Sequence, residues 1–170
     1  MYSVDDQDRV IRLEGVPQSD IGAPMPFVIS DEHVTLLAYV AQGEQRFIDE
    51  GDPASWLDDL ALIQFSGRKS YMFGAPNDEA FDGHPLASRG LESYGAFEIK
   101  NSSWIRKLEQ MNALHPLHRG GYLKRLKHYV FSFHDSTFEC VARDFTVSNY
   151  RGSFTSLLPE MHKRLNWDAT

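Results

Sequence analysis

Histidine and carboxylate side chains carry most of the chemistry this sequence can offer, because imidazole is the side chain whose ordinary titration falls near neutral pH. The chain has 7 histidines in 170 residues. The clearest arrangement lies in His128-Tyr-Val-Phe-Ser-Phe-His134-Asp-Ser-Thr137-Phe-Glu139-Cys140. Apolar and polar residues alternate there on both sides of Asp135-Ser136, which predicts a β-hairpin. With a turn at Asp135-Ser136, His134 faces Thr137, Phe133 faces Phe138 and Phe131 faces Cys140. His134 and Glu139 then share a face as diagonal neighbours, roughly 5–8 Å apart. A carboxylate at that range can orient an imidazole and raise its pKa, so the pair His134 and Glu139 is a candidate general base. The bland alternative is an ordinary surface pair. His128 shares the face but lies six residues from His134, about 20 Å along a regular strand.

His115-Pro-Leu-His118 is a candidate metal pair, because a spacing of three can put two imidazoles on one ion. A third ligand would have to come from afar, with His134 or Glu139 the best donors. Against a divalent metal, Pro116 breaks the regular helix that would align the two rings, and His115 can instead cap a helix end. Asn77, Asp78, Glu79 and His84 fall in a long polar loop, the kind of segment that carries binding residues. Their spacing is not that of a calcium loop, and Asx turns account for such residues equally well. His84 precedes Pro85, which holds it extended and allows it to point in toward the sheet. Arg119, Lys124 and Arg125 form a basic stretch suited to a phosphate or carboxylate, or to a solvated helix face. Cys140 falls on the apolar face of the hairpin, where a thiol is a poor nucleophile.

The elements that position these residues follow from local pattern. Val10–Leu13 reads as an edge strand. Pro26–Ser30 and Val34–Val40 read as a hairpin. Asp52–Leu57 reads as a short helix with Asp52 as cap and Pro53 in its first turn. Leu60–Ser66 and Lys69–Phe73 read as a second hairpin about Gly67-Arg68. Tyr94–Lys100 is a strand. A helix follows, capped by Ser102 or Ser103 and ended near Leu114 by Pro116. A helical piece spans Tyr122–Lys127, and a C-terminal helix of about Ser156–Leu165 turns Leu157, Leu158, Met161 and Leu165 to the core. Strands come in runs with helices inserted, so the predicted fold class is α+β: a single domain with a largely antiparallel, curved or partly closed sheet, two or three helices and a loose segment at residues 1–9.

Composition narrows the function classes. The longest apolar runs, such as Leu60-Ala61-Leu62-Ile63, are too short to span a bilayer. Met1–Asp8 lacks the basic-then-apolar order of a signal peptide. A single cysteine excludes an internal disulfide or a multi-cysteine zinc site, and a reducing cytoplasm is the expected compartment. The formal net charge is −7, with 6 Lys/Arg against 16 Asp/Glu in residues 1–90 and 11 against 8 in residues 91–170. The acidic half argues against nucleic-acid binding, which needs many cationic contacts. The unlike halves suit self-association. No dinucleotide-binding glycine motif, phosphate loop or Gly-x-Ser-x-Gly occurs.

The segments from Gly74 to Leu86, Phe97 to Ile105 and Phe133 to Cys140 resemble an uncharacterised family of bacterial hypothetical proteins over about residues 60–147. The resemblance implies a bacterial source and no activity or site. The expected function is therefore an accessory domain that binds a small molecule or a protein partner. The alternative is a hydrolase-like enzyme using the His/Glu pair, with a divalent metal or without one.

Overall fold

A computed structural model describes residues 2–43, 46–47 and 56–165. The described strands are β1 (Arg9–Arg12), β2 (Phe27–Ser30), β3 (Val34–Val40), β4 (Arg46–Phe47), β5 (Trp56–Ser66), β6 (Ser70–Gly74), β7 (Gly95–Lys100), β8 (Lys127–Ser132), β9 (Thr137–Ala142) and β10 (Asp144–Gly152). Two α-helices, α1 (Ser103–Asn112) and α2 (Phe154–Arg164), accompany them. The helix expected at Asp52–Leu57 falls mostly outside the described residues; its last two, Trp56 and Leu57, begin β5.

The α+β class and the antiparallel pairing hold, but the single curved sheet is replaced by two. One sheet runs β1-β7-β8-β9-β6 and the other β10-β5-β3-β2, with β4 paired to β5; neither closes on itself. The β2–β3 hairpin is closed by Asp31, whose Oδ1 accepts the N–H groups of His33 (2.6 Å) and Val34 (2.7 Å).

The hairpin expected about Gly67-Arg68 does not form. β5 pairs with β3 and β10, whereas β6 pairs with β9 in the other sheet. Residues 67–69 are an arch that carries the chain between sheets. Gly67 has φ +61°, and a Cβ there would sit 3.2 Å from Cβ of Arg143. Arg143 is the second crossing point, between β9 and β10. The two crossings are laced together by Arg143 N–H to Ser66 O (3.0 Å) and Lys69 N–H to Val141 O (2.7 Å).

The sheets pack face to face. Leu37, Tyr39, Ile63 and Phe65 from one meet Tyr129, Phe131, Phe133, Phe138 and Cys140 from the other. Phe65 lies at the centre, with ring centroids 5.3–5.7 Å from Phe138, Tyr129 and Phe131. Each outer face carries a helix. Leu157, Met161 and Leu165 bring α2 onto Leu36, Ala38, Leu60 and Leu62, although Leu158 is exposed. α1 covers the other outer face through Trp104, beside Val130, Val141, Phe97 and Ile99. This double covering explains why β3, β8 and β9 are buried on both faces. Among the described residues no helix is long and apolar enough to cross a membrane.

Residues 2–8 do more than the sequence suggests. Tyr2 is buried and stacks on Trp104, centroids 5.4 Å apart and planes 6° apart. Asp8 is buried too, and its Oδ1 accepts Ser103 N–H at 2.7 Å, filling an open donor at the start of α1.

Candidate functional site

The hairpin of β8 and β9 has a longer loop than the sequence predicts. Phe131 pairs with Phe138 and Ser132 with Thr137, so residues 133–136 form the connection. The register slips by two, which leaves each residue on its predicted face. It does not leave His134 beside Glu139. Glu139 stands opposite Val130 inside the sheet, and His134 lies in the loop. Each has found a different partner, so the proposed His134–Glu139 pair is not formed.

Glu139 is the centre of a buried network. Its Oε2 accepts His128 Nε2–H (2.9 Å) and the Tyr2 hydroxyl (2.5 Å), and its Oε1 accepts His84 Nε2–H (3.3 Å). The tautomer of His84 follows from its other ring nitrogen. His84 Nδ1 accepts Leu86 N–H at 3.1 Å, which places its proton on Nε2. His128 Nδ1 is 2.9 Å from Ser102 Oγ, and that oxygen also accepts Ile105 N–H as the cap of α1. Burial alone would raise the Glu139 pKa, but the bonds from His128, His84 and Tyr2 outweigh it and hold the carboxyl down to about 2. Burial and the neighbouring carboxylate push the Tyr2 hydroxyl up.

His134 pairs instead with Asp78. His134 Nδ1 lies 2.9 Å from Asp78 Oδ2 and 2.9 Å from the Tyr94 hydroxyl, which itself bonds to Asp78. Asp78 N–H donates to His134 O at 2.9 Å, so the polar loop is docked on the β8–β9 connection. The Tyr94 and His134 bonds lower the Asp78 pKa; the Asp78 bond raises that of His134 and lifts Tyr94 to about 12. Asn77 Oδ1 accepts Ala80 N–H, and Asp78 Oδ1 accepts Glu79 N–H. These Asx contacts are the self-satisfying turn that the sequence offered as the bland alternative. Glu79 is exposed, whereas His84 is buried.

His115 and His118 do not converge. His118 Nε2 is 3.0 Å from Glu109 Oε1, and His115 Nδ1 accepts Leu117 N–H. Among the described residues no group of three His, Cys, Asp or Glu side chains is placed to hold a metal ion. The Glu139 network is unsuited to one as well, because its His84 Nε2 carries a proton where a metal would need a lone pair. Cys140 is buried, as its place on the apolar face predicted, and burial pushes its thiol pKa up.

Among the described residues, two adjoining clefts are basic. One, of about 540 Å³, is lined by His33, Arg68, Lys69, Tyr122, Arg125 and Arg143 with the glycines at 67, 120 and 121, and with no carboxylate. The other, of about 470 Å³, includes Ser102, Lys100, Arg106, Lys124, Arg125 and Lys127, with one carboxylate, Glu98. They meet at Arg125 and Leu126. Arg125 and Lys124 were legible from sequence. Arg119 is exposed and lines neither. Arg68, Lys69 and Arg143 were missed because they gather only where the chain changes sheets. No family model, curated protein or solved structure matches the chain.

Proposed function

We propose that the protein is a binding domain for a small oxyanion-bearing molecule, held in the cleft beside the two sheet crossings. The observation that supports this is a carboxylate-free lining. Among the described residues, Arg68, Lys69, Arg125 and Arg143 make no ion pair, yet all line one cleft. Like charges gathered in a concavity focus a positive potential, which raises the local concentration of anions. Arg68 is fixed by its bond to the Asp31 carbonyl and by its stacking over Tyr71, 5.6 Å from the ring centroid. Its Nε is buried without a partner, a donor of the kind that water or an ion ordinarily satisfies. Tyr122, 70% exposed at the rim, offers a flat apolar face to the rest of the ligand.

Phosphate and carboxylate ligands share this chemistry. The test is thermal unfolding at low salt with pyrophosphate and with citrate. At a hundredfold excess over Kd, binding adds about 2.7 kcal/mol, a rise in Tm of about 5–10 °C for a chain of this size. The rise should vanish in Arg143→Glu and Lys69→Glu, both at exposed positions. A flat response to both anions, or an equal response in those variants, overturns the reading. A cytoplasmic setting and self-association through the unlike-charged halves belong to the same proposal, and light scattering against salt tests the second.

A further inference from the structure

The geometry points to a second activity: we propose that Ser102, His128 and Glu139 form a proton relay in which Ser102 attacks the carbonyl of an ester at the floor of the adjoining basic cleft. Ser102 Oγ is 2.9 Å from His128 Nδ1, and His128 Nε2 is 2.9 Å from Glu139 Oε2. All three residues are more than nine-tenths buried. The order serine, imidazole, carboxylate is that of an activated hydroxyl nucleophile. The direction of each proton is set by the surroundings. Glu139 accepts His128 Nε2–H, so in the neutral ring the lone pair is on Nδ1 and faces Ser102. Ile105 N–H occupies one lone pair of Ser102 Oγ, so the hydroxyl proton is directed at the imidazole. His84 and Tyr2 hold the carboxylate in place from its other side.

The local backbone suits the task. Ser102 follows a strand, β7, and precedes a helix, α1, across a tight junction in which Asn101 has φ +54°. Ser102 itself lines the cleft of about 470 Å³ with Lys124, Arg125 and Lys127. In the first step Oγ bonds to the carbonyl carbon as its proton passes to His128 Nδ1. Five cationic side chains of the lining, against the one carboxylate of Glu98, oppose the charge on the carbonyl oxygen. The ester C–O bond then breaks, and the leaving alkoxide takes the proton from Nδ1. Water attacks the acyl group, gives a proton to Nδ1, and the carboxylic acid leaves as Oγ regains its proton. Ser102 and His128 are the catalytic residues; Glu139 is a positioning residue. The preference for an anionic ester rests on the binding reading above, whereas the relay does not.

A fluorophosphonate probe tests the relay without regard to substrate charge. The wild-type chain should gain the mass of one adduct, mapped by peptide mass spectrometry to Ser102. Ser102→Gly keeps a residue that caps helices nearly as well and removes the hydroxyl; its labelling should disappear, whereas Ser103→Ala should label as the wild type does. Hydrolysis of 4-nitrophenyl acetate should fall at least about a hundredfold in Ser102→Gly. Glu139→Gln should lower kcat with KM little changed. No adduct at Ser102, or unchanged hydrolysis in Ser102→Gly, overturns the proposal. Labelling at Ser102 with no preference for 4-nitrophenyl hemisuccinate over the acetate leaves the relay standing and removes the preference for an anionic ester. Stabilisation by pyrophosphate without labelling overturns the relay and leaves the anion site at the sheet crossings standing.

Discussion

His128 Nε2 donates to Glu139 Oε2 across 2.9 Å, from one strand of a hairpin to the next. The two residues are diagonal neighbours on one face, His128 opposite Val141 and Glu139 opposite Val130. That face is covered by Trp104 of α1 and by Tyr2, so the bond is made in the interior, with both residues buried. A buried carboxylate is tolerated only when its oxygens are filled, and here three donors fill them.

Glu139→Ala should therefore be among the most destabilising substitutions in the protein. It strands the Tyr2 hydroxyl and two imidazole N–H groups in the interior, at a cost of about 3–5 kcal/mol. Urea denaturation measures it; a loss below about 1 kcal/mol, the worth of an exposed pair, contradicts the buried hub. The same carboxylate sets the acid limit. Its folded pKa, about 2, lies below the ordinary value of 4.5. Its contribution is complete above the ordinary value and fades as pH falls towards the folded one, a change of about 3 kcal/mol. In Glu139→Gln, stability should fall less steeply between pH 4.5 and pH 2 than in the wild type.

Face assignment in this hairpin was legible because a side chain alternates with every residue, and a slip of two positions preserves it. Tyr129, Phe131, Phe133, Phe138, Cys140 and Ala142 all lie in the inter-sheet core as the alternation requires. The partner of Glu139 was not legible, because it depends on loop length. A two-residue turn brings His134 toward Glu139; the four-residue connection brings His128. The gathering of Arg68, Lys69 and Arg143 was hidden for a different reason. Gly67-Arg68 has the composition of a tight turn, and only the competition among β3, β10 and β9 for the flanking strands makes it an arch.

Tyr2 should prove a structural residue despite its place beside the chain start. Its hydroxyl gives Glu139 a charge-assisted hydrogen bond, and loss of such a bond costs about 1.5–3 kcal/mol. Tyr2→Phe should lose that amount in chemical denaturation. Tyr2→Ala should lose more, because the stacking on Trp104 goes too, and Trp104 fluorescence should shift to the red as its ring meets water. Equal stability of Tyr2→Phe and wild type is the adverse result.

Cys140 should be silent in the folded protein. The thiol lies between the sheets, and thiolate is the reactive form. Iodoacetamide at pH 8 should leave it unmodified under native conditions and alkylate one equivalent in denaturant. Rapid native labelling would place the residue outside the core and take the face assignment of β9 with it.

The pair of His134 and Asp78 predicts a bounded pH window. Asp78 is held below its ordinary value by its bonds to Tyr94 and His134, and His134 is held above its own by Asp78. For the acid, the stabilisation is present above the unfolded value of about 3.9 and is lost as pH falls through the folded one. For the base, it is present below the unfolded value of about 6.5 and is lost as pH rises through the folded one. The two limits leave a plateau from about pH 4 to about pH 6.5. The difference in Tm between wild type and His134→Ala should be greatest on that plateau and shrink on either side. High salt should reduce it, because the His134 side chain is 41% exposed. A difference that grows steadily above pH 7 means that neutral His134 makes the bond, as the tautomer whose Nδ1–H donates to the Asp78 carboxylate.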